Sequence, residues 1–232
     1  MNFISLTFKA FILFICAVLV TFLSGCATTG KMVLTPETPT LNISSDNSVV
    51  LLVIETSKDD AGGWSRIPIV EKISIGEINT KEFMLYEVPI DVVSCKDYKV
   101  KHLISILLQS KKHRIQGING HGLVCAEVGN KIFRNPFGNF NFDLKLNITP
   151  IPGKVVYAGH IKANMRERKS ENETRAGSIV PLLEQKITGF YSSTFDITVE
   201  DMFDEDVAMF HDKFPALNKM EIIKSIAVRQ NP

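Results

Sequence analysis

A surplus of either charge is missing from this sequence. Its 232 residues hold 26 lysines and arginines against 25 aspartates and glutamates, a formal net charge of +1. A chain so balanced lacks the basic excess that tracks a phosphate backbone, which excludes a general nucleic-acid binder. The common chemical motifs are missing too. There is no Gly-x-x-x-x-Gly-Lys-Ser/Thr loop to cradle phosphate and no Gly-x-Ser-x-Gly elbow to present a nucleophile. Five histidines, His102, His113, His121, His160 and His211, are scattered, and no His-x-x-x-His or His-Glu-x-x-His pair places two nitrogens around zinc. Asp201, Asp204, Glu205 and Asp206 lack the spacing of a calcium loop. No catalytic residue, metal ligand or cofactor is therefore expected, although a site dispersed along the chain stays open. No repeat of fixed period is evident.

What is present begins with one apolar run. Lys9 is the only charged side chain in MNFISLTFK, and Ala10 to Leu23 follow almost without a polar residue. That length suits the apolar region of a secretory leader and falls short of the roughly 20 residues of a spanning helix. A helix apolar on every face would also make a poor core element at this position.

The run closes on Leu23-Ser24-Gly25-Cys26, which resembles the lipobox of bacterial lipoproteins. The resemblance implies cleavage between Gly25 and Cys26, a diacylglyceryl group on the Cys26 thiol and a lipid-anchored protein of the bacterial cell envelope. Ala27 stands where an Asp would imply retention at the inner membrane, so the outer membrane, facing the periplasm, is implied. Each buried methylene contributes about 0.8 kcal/mol, so two or three acyl chains hold firmly where one does not. Without residues 1–25 the chain loses Lys9 and no acid, leaving no net charge. The sequons at Asn42, Asn147 and Asn172 are discounted, because a lipobox implies bacteria.

Residues 26–46 are rich in Thr, Ser and Pro and read as a flexible tether. Residues 47–232 read as one domain, mainly β: a β-sandwich with one or two short C-terminal helices. SVVLLVIETS, Ser48–Ser57, is a continuous buried strand. Ile67–Ile78 alternates, with Ile69, Ile73 and Ile75 toward the core. Tyr98–Leu108 is read as strand because Ile104, Ile106 and Leu108 share a face, and so do Phe142, Leu144, Leu146 and Ile148. His113–Ile118 is expected to end in a turn at Asn119-Gly120-His121-Gly122. Arg166–Arg175 reads as a mobile loop. Phe203, Val207, Phe210 and Phe214 fall on one helical face, with Asp201 as cap and acids favoured in the first turn by the helix dipole. A second short helix is expected over Asn218–Ile226.

The segments LKLNITPIPGKVVYAGHI, Leu144–Ile161, and FDITVEDMFDEDVAMFHDKFPAL, Phe195–Leu217, resemble a group of poorly characterised bacterial envelope lipoproteins. The Pro-Gly-Lys turn followed by Tyr-x-Gly is also similar to transthyretin-like and carboxypeptidase-regulatory-like β-domains. The first resemblance brings no known catalytic residues to carry over, and the second implies a domain that is usually non-catalytic.

Two groups of residues carry candidate chemistry. Cys95 and Cys125, with 29 residues between them, form a natural disulfide pair in an oxidising compartment, worth roughly 3–4 kcal/mol. The alternatives are a reactive Cys125 served by His121, or two inert thiols. Lys96, Lys99, Lys101, Lys111, Lys112 and Arg114 lie within 19 residues opposed only by Asp97. Lys111, Lys112 and Arg114 are the candidate contact surface, for anionic lipid headgroups or an acidic envelope partner; a solvated strand face and turn is the alternative. The expectation is a lipid-anchored, non-catalytic binding or structural accessory module. The competing class is an envelope hydrolase with a dispersed site.

Overall fold

A computed structural model describes residues 29–58, 66–80, 82–94, 97–125, 132–177 and 190–230. Two six-element sheets pack face to face. Sheet A contains β1 (Thr29–Gly30), β3 (Arg66–Glu77), β4 (Met84–Glu87), β7 (His113–Cys125), β8 (Ile132–Ile148) and β12 (Val228–Arg229), in the order β1-β4-β3-β7-β8-β12. Sheet B contains β2 (Asn47–Lys58), β5 (Val92–Ser94), β6 (Lys99–Gln109), β9 (Val155–Glu167), β10 (Ser193–Glu200) and β11 (Ile222–Lys224). Its order is β10-β9-β2-β6-β5, with β11 beside the first residues of β9. One helix, α1 (Phe203–Lys213), follows β10, and a 3-10 turn spans Pro215–Leu217. The β-sandwich read from the strand pattern is the observed architecture.

The unbroken apolar character of β2 has a direct cause. Val50, Leu52 and Ile54 face sheet A and join the central core with Ile104, Ile106, Ile115, Phe142 and Leu146. Val49, Leu51 and Val53 face the other way, beneath Phe210, Phe214 and Leu217. A strand buried on both faces has no reason to alternate, and each such side chain contributes about 1.5–3 kcal/mol. Ile69, Ile73 and Ile75 are buried, as are Phe142, Leu144, Leu146 and Ile148.

Four expectations are corrected. The chain does not hang free as a tether up to residue 46. From Thr29 onward it is docked: β1 pairs with β4, the Val33 amide donates to the Ser105 carbonyl at 2.9 Å, and Leu34 is buried over sheet B. Leu34, Leu41 and Ile43 supply the apolar area that the composition of the segment obscured.

Asn119-Gly120-His121-Gly122 is no turn; β7 runs straight through it. Gly120 is needed for close approach, since a Cβ there would lie 1.8 Å from the Ile69 carbonyl oxygen of β3. Arg166–Arg175 is tied down. The Arg166 guanidinium donates to both Glu173 oxygens at 2.8 and 3.1 Å and to Asp196 at 2.7 Å. Asn218–Ile226 forms β11 and not a helix, because Ile222 and Ile223 complete sheet B against Val155 and Val156.

Candidate functional site

The two sheets each carry an imidazole–carboxylate pair, and a β-bulge builds each one. On sheet A, β3 and β7 shift register between Val70 and Lys72, so Glu71 is the extra residue of the bulge. Extra residues re-aim side chains. Glu71 meets His121, whose Nδ1–H donates to Glu71 Oε1 at 2.8 Å. The opposite nitrogen, Nε2, is buried and without a hydrogen-bond partner. His121 and Glu71 line an open cleft of about 530 Å3 with Lys72, Glu87, Val88 and Pro89. An imidazole held by a carboxylate on one nitrogen has the orientation of a general base on the other, but here that other nitrogen is buried.

On sheet B the bulge lies in β9. Residues three apart on a regular strand face opposite ways, yet Tyr157 and His160 both face α1. Gly159, at φ +112°, takes a conformation that side chains rarely adopt and restores both residues to one face. Between them comes Asp206, from the first turns of α1. The Tyr157 hydroxyl donates to Asp206 Oδ2 at 2.6 Å, and His160 Nδ1–H donates to the same carboxylate at 3.0 Å. Burial first, then the neighbouring Asp206 carboxylate, pushes the Tyr157 hydroxyl well up, so it remains a donor. His160 Nε2 lies 3.8 Å from Glu55 Oε2, beyond hydrogen-bond reach. Glu55 is itself neutralised by Lys99 at 3.4 Å and Lys101 at 3.5 Å. His160 and Asp206 are fully buried.

The acids of α1 thus divide. Asp201 is not the cap expected of it: Met202 is the N-cap, without a side-chain cap hydrogen bond, and Asp201 Oδ1 accepts from the Phe203 amide at 3.3 Å from just ahead of the helix. Asp206 departs from the capping reading as well, since its carboxylate is drawn inward by Tyr157 and His160. A third histidine, His102, is fully buried with no carboxylate. Its Nδ1–H donates to the Pro89 carbonyl at 2.7 Å, and its Nε2 accepts from the Val70 amide at 3.3 Å. Burial pushes His102 down to about 4, partly offset by the Pro89 bond.

The basic stretch is split by the length of β6. Lys99 and Lys101 serve Glu55 in one half of sheet B. Lys111 and Lys112 occupy the turn after β6, about ten residues and roughly 33 Å further along the strand direction. Lys111 pairs with Glu77 at 3.2 Å. Arg114, two residues beyond that turn, donates to Asn147 Oδ1 at 2.9 Å. Among the described residues Lys112 is exposed and has no ion-pair partner. The three candidate contact residues therefore lie together, at the end of the sandwich where β3 finishes and β4 starts.

Gly25, Cys26, Cys95 and Lys96 lie outside the described residues, as does the side chain of Cys125, the last residue of β7. Among the described residues no helix is long and apolar enough to cross a membrane, and no group of three or more His, Cys, Asp or Glu side chains is placed to hold a metal ion. Compared with family models, curated proteins and solved structures, the chain matches none.

Proposed function

We propose that this is a lipid-anchored protein of the bacterial cell envelope, held in the outer membrane through Cys26, whose β-sandwich serves as a binding or structural accessory module. The observation that carries the reading is the leader pattern closing on Leu23-Ser24-Gly25-Cys26. The docking of the chain from Thr29 onward supports it, because only Ala27 and Thr28 then separate the lipid-bearing residue from the first strand. Lys111, Lys112 and Arg114 at one end of the sandwich offer a surface to anionic headgroups or an acidic partner.

Metabolic labelling with palmitate tests the anchor. The wild type takes up label and fractionates with membranes; Cys26→Ala takes up none and accumulates as the uncleaved precursor. A mature, soluble, unlabelled wild-type protein would end the reading.

One observation favours a second reading, an envelope hydrolase with a dispersed site. The His121–Glu71 pair lines a cleft through its half-exposed carboxylate, and the second imidazole nitrogen is buried and unpartnered. The two readings part at His121.

A further inference from the structure

The parallel pairing of β1 with β4 places Thr29, the first described residue, at one end of the sandwich. Thr29 lies opposite Leu85 and Gly30 opposite Tyr86, so the first described residue sits beside the Met84 end of β4. Gly30 sits directly against this strand, since a Cβ on it would lie 3.0 Å from Met84 Sδ. From Thr29 back to Cys26 is three residues, a reach of at most about 10 Å.

The same end of the sandwich carries an apolar surface that the fold leaves open. Phe83 is 61 % exposed, Leu107 42 % and Met84 39 %, and the three line one cleft of about 410 Å3 beneath the turn that holds Lys111 and Lys112. The hydrogen bond from the Ile78 amide to the Lys112 carbonyl, at 3.0 Å, ties that turn to the β3–β4 connection. Charge here is balanced: Lys111, Lys112 and Arg114 are set against Asp46, Glu77 and Glu82. The apolar side chains therefore supply contact at this end beyond what the basic ones offer.

We propose that Phe83, Met84 and Leu107 form a bilayer-contacting surface, seated in the headgroup region of the membrane that holds the lipid on Cys26. The inference rests on the lipid-anchor reading and goes beyond it, by assigning which end of the sandwich faces the membrane and which residues enter it. Apolar side chains flanked by lysines suit the headgroup boundary, where rings and methylenes meet acyl chains and ammonium groups meet phosphates. A short tie between lipid and fold keeps this end at the surface, so even weak insertion is favoured by high local concentration. The far end, with Tyr191 and the Arg166–Glu173 cluster, then points away, because β2 and β9 run the length of the domain between them.

The test uses the full lipoprotein with its single tryptophan, Trp64, changed to Phe. Tryptophan is introduced as Phe83→Trp, as Leu107→Trp, or as Tyr191→Trp for the far end. Each protein is reconstituted into vesicles of phosphatidylethanolamine and phosphatidylglycerol, with or without brominated acyl chains. Unchanged unfolding midpoints qualify the variants, and the Leu107 site decides if the Phe83 variant does not fold. Emission from positions 83 and 107 should shift to shorter wavelength on reconstitution and be quenched by brominated chains; position 191 should show neither change. If Cys26 carries lipid and the protein floats with vesicles while 83 and 107 stay unquenched, the proposed surface is wrong and the anchor stands. A blue shift that depends on protein concentration and not on bromine would assign the patch to a second copy of the chain, and would also overturn it. A protein with no lipid on Cys26 removes the anchor and the inference together.

Discussion

His160 and His121 are each hydrogen-bonded through Nδ1 to a carboxylate, and each owes that partner to a bulge. Each also keeps a buried Nε2 without a hydrogen-bond partner, and the difference lies in the carboxylates. His160 and Asp206 are sealed under α1, with Tyr157 spending its hydroxyl on the same carboxylate. Glu71 is about half exposed, and His121 borders a cleft. The sealed pair joins helix to sheet: three donors and acceptors from β9 and α1 satisfy one another where water does not reach. The open pair joins nothing that the strand ladder does not already hold. Identical chemistry thus does structural work in one place and is free for another use in the other. Both imidazoles are buried, and the exposure of the carboxylate, none at Asp206 and about half at Glu71, is what differs.

The largest effect is expected where the sealed pair is broken. Asp206→Ala would leave the Tyr157 hydroxyl and the His160 imidazole buried with no acceptor. Each buried donor left without its acceptor costs about 1–3 kcal/mol. For a domain of this size the two together lower the thermal midpoint by roughly 10 °C. Tyr157→Phe deletes one donor and leaves His160 on the carboxylate, so a smaller loss of about 1–3 kcal/mol is expected. Urea denaturation of both variants measures the difference. Equal, negligible losses would show that α1 is held by Phe210 and Phe214 alone.

His102 sharpens the comparison, for it is as buried as His160 but has no carboxylate to favour its charged form. Its ordinary value of 6.5 falls to about 4 in the fold. The unfolded chain therefore binds a proton more readily than the native one across that interval. Stability from neutral His102 is fully present above pH 6.5 and is lost as pH falls toward 4, by about 3 kcal/mol in total. His102→Gln retains an acceptor for the Val70 amide and does not titrate. Its unfolding free energy should fall less steeply over the same range, and parallel curves for the two proteins would refute the assignment.

Both bulges left marks in the sequence that regular periodicity does not use. Glu71-Lys72 interrupts the alternation of Ile67–Ile78 with two adjacent polar residues, and Gly159 interrupts a β-branched strand. A glycine within a strand and a broken alternation are the signatures of a bulge. The sandwich itself was legible because Ile104, Ile106 and Leu108, or Phe142 to Ile148, repeat with period two. Asp206 was hidden among acids that a helix N-terminus attracts anyway, and its partners lie 46 and 49 residues away. The docking of 29–43 was hidden because Leu34, Leu41 and Ile43 have no period; they pack singly over sheet B. Gly120 carried the opposite error. Its role is set by the Ile69 carbonyl of another strand, which a local reading of Asn-Gly-His-Gly does not contain.

The smallest structural effect, and the most decisive functional one, belongs to the open pair. Glu71 is half exposed, so its bond to His121 contributes less than about 1 kcal/mol to stability. His121→Gln and Glu71→Gln should each fold with near wild-type midpoints. Under the accessory-module reading both variants also preserve the envelope phenotype. Under the hydrolase reading His121→Gln abolishes an ester- or amide-cleaving activity that the wild type possesses. Glu71→Gln then lowers kcat with little change in KM, because its role would be to orient the ring and not to touch substrate. Changing Lys111, Lys112 and Arg114 to Ser provides the opposite control. It should weaken association with anionic vesicles modestly, more at low salt than at high, because exposed charges are screened. A folded His121→Gln that loses hydrolysis while the basic triple variant behaves as wild type would transfer the function from the anchor end of the sandwich to the cleft. Unchanged phenotype in His121→Gln, with weaker vesicle association in the triple variant, keeps it at the membrane.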